Sequence, residues 1–148
     1  MTQKSMWGIT ACVLLAFGSS LMAQSTNRTA DSRRCSNRTL SGDYGVQIEG
    51  TILGPNLPLR TVSMAHFDGA GTVKSVDHVV VNGMLPLEEW RSADWTYSVN
   101  PDCTGTAAVA TGPGNPPIVV HFVVVKRGTE FHGVVDESTI ILNAFKVE

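Results

Sequence analysis

His121 and His132 come nearest, in residue type and spacing, to a metal site. If the strands flanking Arg127-Gly128 pair with Lys126 opposite Thr129, the two imidazoles fall diagonally on one sheet face, at a backbone reach of about 7–8 Å. Glu130 and Asp136 share that face, and two imidazoles with nearby carboxylates could hold a divalent cation. Solvent-facing histidines on a strand are far commoner than ligands. No His-x-His or Cys-x-x-Cys spacing supports the site, so no metal and no cofactor is assigned.

A second group suits binding rather than reaction. From Arg91 to Val99 a period of two sets Trp95, Tyr97 and Val99 on the inner face of a strand. Rings there can line an apolar pocket, with the tyrosine hydroxyl as polar handle, or simply pack a core. Tyr44 and Phe67 have the same two readings. Asp77 depends on one turn. If Asp68-Gly69-Ala70-Gly71 adds a bulge residue, Val73, Ser75, Asp77 and Val79 point inward; otherwise Lys74, Val76 and His78 do. A buried Asp77 needs a partner such as Tyr97 or Arg91, and serves either as a polar ligand contact or as a structural hydrogen bond.

Constellations for covalent or acid–base catalysis are missing. The chain has no Gly-x-Ser-x-Gly elbow, no phosphate-binding glycine loop and no His-Glu-x-x-His. Glu88 and Glu89 are adjacent, so on a strand they face opposite ways and on a loop they are a solvated pair. No catalytic residue is assigned.

The elements that must position these side chains are strands. No window of helical length keeps a 3.6-residue period, and Gly or Pro interrupts every longer stretch. Strands are expected near 43–53, 60–67, 72–81, 90–99, 104–110, 118–126, 130–136 and 139–146, with turn residues between them. Eight sequential strands with short connections favour an all-β, antiparallel up-and-down barrel, because closure removes the exposed edges. A β-sandwich is the alternative. At Arg127-Gly128 the pairing above puts Ile118, Val120, Phe122 and Val124 with Phe131, Gly133 and Val135 on the core face. The other face keeps Val119, Val123, Val125 and Val134, apolar enough for a subunit contact in a homo-oligomer.

Ahead of the strands, residues 1–23 read as a secretory signal: Lys4, an apolar run from Met6 to Phe17, and a cut after Ala23. The run is shorter than the roughly 20 residues of a membrane span, so no stable span is expected after cleavage, and the product would be secreted or periplasmic. Residues 24–38 form a basic leader expected to be flexible, and 39–148 a single β-barrel domain. Asn27-Arg28-Thr29 and Asn37-Arg38-Thr39 fit the glycosylation acceptor pattern. Across the whole chain 11 Lys+Arg stand against 13 Asp+Glu, a net charge of −2 that leaves no footprint for nucleic acid. Cleavage leaves Cys35 and Cys103, an even pair that in an exported chain points to one disulfide, the alternative being two free thiols.

Three segments carry a resemblance: Cys35-Ser36-Asn37-Arg38-Thr39-Leu40-Ser41-Gly42-Asp43-Tyr44-Gly45, Phe67-Asp68-Gly69-Ala70-Gly71, and Tyr97-Ser98-Val99-Asn100-Pro101-Asp102-Cys103-Thr104-Gly105. In order and in both cysteines they resemble a family of small secreted bacterial proteins without a defined activity, over about residues 35–146. The resemblance implies a calycin-like barrel similar to allene oxide cyclase and dirigent proteins, and implies fold far more than chemistry. The chain departs from that pattern at Leu85-Pro86-Leu87-Glu88-Glu89-Trp90 and in the proline-rich loop before Ile118. Three function classes follow: a non-catalytic barrel binding a small apolar or amphipathic ligand, a surface or structural interaction module, and a barrel isomerase or cyclase. A hollow interior would favour the first or third and a filled one the second.

Overall fold

The computed structural model describes residues 34–148, and the expected signal segment and most of the leader lie outside them. Eight antiparallel strands form a closed barrel in chain order: β1 (Ser41–Ile52), β2 (Leu57–Asp68), β3 (Thr72–Val81), β4 (Arg91–Val99), β5 (Thr104–Val109), β6 (Ile118–Val125), β7 (Glu130–Val135) and β8 (Ile141–Lys146). Each strand pairs with its chain neighbours, and β8 returns to β1, with Tyr44 opposite Lys146. No helix among the described residues is long and apolar enough to cross a membrane.

Register follows from alternation. Val124 lies opposite Phe131 and Phe122 opposite Gly133, as the pairing around Arg127-Gly128 requires. Val120, Phe122, Val124 and Phe131 are buried. Ile118 and Val135, expected in the same core, share that inner face, but Ile118 is exposed and Val135 only partly covered, because they lie toward an end where the barrel is not filled. The Phe122 ring crosses the flat backbone of Gly105 on β5, where any Cβ would collide with it.

The turn after Asp68 decides the interior of β3. Its Oδ1 accepts the backbone N–H groups of Ala70, Gly71 and Thr72 at 2.7, 2.8 and 2.9 Å. That cradle holds the three-residue turn, sets Phe67 opposite Val73, and so turns Ser75 and Asp77 inward. The amides, Thr72 foremost, also hold the Asp68 carboxyl down to about 2. A depressed carboxyl stabilises the fold above its unfolded value of about 3.9 and ceases to do so as pH falls through its folded value. Between pH about 4 and about 2, the parent protein should therefore lose stability more steeply than Asp68→Asn. Equal slopes in acid unfolding curves would sink this account.

One pole is plugged. A single 3₁₀ turn, Asn37–Thr39, leads into Leu40, which is fully buried. The Tyr97 hydroxyl lies within hydrogen-bond distance of two carbonyls, Leu40 O at 2.9 Å and Asn37 O at 3.1 Å. The Val99 N–H donates to Asn37 Oδ1 at 2.8 Å, and Asn37 Nδ2 donates to the Ala70 carbonyl at 3.0 Å. Both ends of the Asn37 amide are thus engaged within the folded chain. Tyr44 donates its hydroxyl to the Gly128 carbonyl, and Gly128, at φ +88°, packs so close to the Thr39 carbonyl that a side chain would not fit. Cys35 is disulfide-bonded to Cys103 in the turn between β4 and β5. Residues 35–38, expected in the leader, therefore belong to the barrel. The polar amide of Asn37, which reads as part of a solvated linker, is spent on backbone groups at the pole.

Candidate ligand-binding site

Above the plug, aromatic side chains fill the lower half of the barrel. Phe67 stands at the centre, its ring centroid 5.0 Å from Tyr44, 5.1 Å from Tyr97 and 5.4 Å from Phe131. The upper half is hollow. A cavity of about 740 Å³ opens toward the four connections at 53–56, 82–90, 110–117 and 136–140, with Leu53, Pro116, Pro117 and Glu137 among its lining. Ile48, Leu59, Val79, Val109, Val120 and Leu142 supply apolar wall. The proline-rich loop before Ile118 contributes to the lining through Pro116 and Pro117, and residues 85–90 do not.

The polar part of the wall is a cross-strand row. Ser63, Asp77 and Arg91 lie directly opposite one another on β2, β3 and β4. Asp77 is 5% exposed, and its Oδ1 accepts hydroxyl hydrogen bonds from Ser63 at 2.5 Å and Ser75 at 2.8 Å. Arg91 Nη2 stands 4.0 Å from Asp77 Oδ2. A buried carboxyl requires such donors. Arg91 was one expected partner. Tyr97, the other, is not: it lies six residues along β4 from Arg91 and spends its hydroxyl on the plug. Ser63 and Ser75 supply the hydrogen bonds instead. The signal for Ser63 lies in β2, where Thr61 and Ser63 occupy the same alternate positions as Ala65 and Phe67, and Ser75 shares the inner face of β3 with Asp77.

The expected ligand-contacting residues thus divide by height. Trp95 and Asp77 line the cavity, whereas Phe67, Tyr97 and Tyr44 lie in the packed cluster. Trp95 is 4% exposed, and its indole N–H has no hydrogen-bond partner among the described residues. Burial, with a smaller contribution from the Asp68 charge, pushes the Tyr97 phenol up to about 12, and burial likewise raises Tyr44. Both remain protonated donors to backbone carbonyls.

The histidines lie outside the barrel, beside a shallow groove. His121 Nδ1 is 2.8 Å from Asp136 Oδ1. His132, diagonal to it across β6 and β7, has other partners, with Nδ1 2.6 Å from Asn143 Oδ1 and Nε2 2.8 Å from Glu130 Oε1. Hydrogen bonding from Lys126, its closest ion-pair partner, lowers the Glu130 carboxyl below its usual range. No group of three or more His, Cys, Asp or Glu suited to a metal occurs among the described residues. Glu88 and Glu89 are exposed in the connection before β4, whose Glu89 carbonyl accepts a hydrogen bond from His78 Nδ1 at 2.6 Å. Val123, Val134, Ile141 and Phe145 leave an apolar outer surface near the groove. Comparison of the chain with protein-family models, curated proteins and solved structures finds no match.

Proposed function

We propose that the domain is a secreted or periplasmic, calycin-like barrel that binds a small amphipathic molecule without transforming it. The observation that carries this reading is the half-hollow interior: a cavity of about 740 Å³ with aliphatic walls, a polar row at Asp77 on its wall, and Asp136, Glu137 and Ser138 where it opens. Sites for small molecules have this size and make-up, a few hundred to a thousand Å³ of mostly apolar lining with few convergent polar groups. The aromatic plug supports it from below, since a rigid floor keeps the chamber from collapsing when empty. Export is supported by the signal-like residues 1–23 and by a disulfide, which persists in oxidising compartments.

Trp95 lines the chamber and reports on it. Titration with fatty acids, long-chain alcohols and terpenoids is expected to change indole emission and raise the melting temperature for at least one class. A ligand at 100 times its dissociation constant adds about 2.7 kcal/mol of stability, well within reach of a melting assay. Unchanged emission and melting across the whole panel would remove the binding reading in favour of a surface-interaction module.

A further inference from the structure

The polar row narrows the chemistry of the occupant, on the premise that the cavity is a ligand site. We infer that it selects a neutral amphiphile bearing a hydroxyl group over carboxylates and amines of equal length. The two oxygens of Asp77 are treated differently by the protein. Oδ1 takes both serine hydroxyls, at 2.5 and 2.8 Å. Oδ2 has no hydrogen-bond donor among the described residues; Arg91 Nη2, its ion-pair partner, stands off at 4.0 Å, beyond hydrogen-bond range. The side chain is only 6% exposed and lines the cavity, so a carboxyl oxygen without a donor faces an apolar chamber. Such an oxygen gains strongly from a donor that enters.

The 4.0 Å gap fits one oxygen atom. An oxygen placed about 2.8 Å from each side can donate its hydrogen to Asp77 Oδ2 while accepting from Arg91. A hydroxyl does both and leaves the charge balance of the pair unchanged. A carboxylate accepts from Arg91, but it has no hydrogen to give and sets a second negative charge beside Asp77. An ammonium donates to Asp77, but it cannot accept from Arg91 and faces its positive charge. An alkane leaves both groups unmatched. The hydroxyl also reproduces the bonds that a water molecule makes between such groups, so the apolar tail is buried without losing them. The tail then lies against Ile48, Leu59, Val79 and Leu142.

The test uses four probes of one chain length, dodecanol, dodecanoate, dodecylamine and dodecane, each below its aggregation threshold. Trp95 emission and melting temperature are read on the folded, oxidised protein. Dodecanol is expected to bind at least roughly tenfold more tightly than the other three, the worth of one hydrogen bond to a charged group. Asp77→Asn should turn the preference toward dodecanoate, because Arg91 is then unopposed. Arg91→Gln should turn it toward dodecylamine. Arg91 is more than half exposed, so this second variant keeps the fold if Asp77→Asn does not. Equal affinity for all four probes, or a ranking that neither variant alters, overturns the hydroxyl selectivity and leaves the binding site standing. Silence from all four probes overturns the site itself, and the selectivity with it.

Discussion

Replacing Phe67 by alanine is expected to destabilise the barrel by about 3–5 kcal/mol, the usual cost of removing a large aromatic from a core. The ring is 2% exposed and stands edge-on to Tyr44, Tyr97 and Phe131. Each such pair is worth about 0.5–1.5 kcal/mol beyond the area it buries, and truncation removes all three. The cavity lies on the far side of this cluster, so relaxation into the vacated space would draw the chamber floor downward. Urea unfolding should show a lower midpoint with an unchanged slope. A loss below about 1 kcal/mol would mean that the cluster repacks freely and is not the fixed floor described above.

Loss of the Cys35–Cys103 cross-link is expected to be comparably large. The bridge spans 68 residues with its Cα atoms 5.0 Å apart. For a loop of that length the chain-entropy account gives about 4 kcal/mol. Cys35→Ala with Cys103→Ala should lower the unfolding free energy by an amount of that order. The loosening should be greatest at the plugged pole, where the Val99 N–H depends on Asn37 and should exchange with solvent faster. Mass spectrometry of the unreduced protein should find the two cysteine peptides linked. Two alkylatable thiols in the folded, unreduced protein would refute the pairing.

Much of the architecture was legible because each hairpin obeys one rule. Around Arg127-Gly128 valines stand on both faces of β6, but one face alone carries Phe122 and the other carries His121, so a one-residue slip would bury His121 and expose Phe122. The turn after Asp68 was ambiguous for a definite reason. Val73 and Val79 lie on one face of β3 and Val76 and Val80 on the other, so hydrophobicity does not choose between them. Three amide hydrogen bonds to one carboxylate oxygen do. The division of the interior into plug and chamber was not legible at all. It depends on the height at which each inward residue stands after eight registers are added, which brings Tyr44, Phe67, Tyr97 and Phe131 to one level. Asp77 could be named as a buried acid with Ser75 beside it on the same face, but its partner Ser63 required knowing which residue of β2 lies opposite.

The plug also determines how the molecule bears tension. β1 leaves this pole at Ser41, and β8 comes back to it near Lys146, so a pull between the two ends would peel open the seam that closes the ring. The bond from Cys35 to Cys103 reroutes that pull. Traction arriving from the N-terminal side passes into the turn joining β4 and β5, which stands diametrically across the ring from the seam. Forced opening is governed by the unfolding rate of whichever element is loaded. The oxidised protein therefore presents an intact hairpin to the load, and reduction transfers the same load to the place where the barrel unzips.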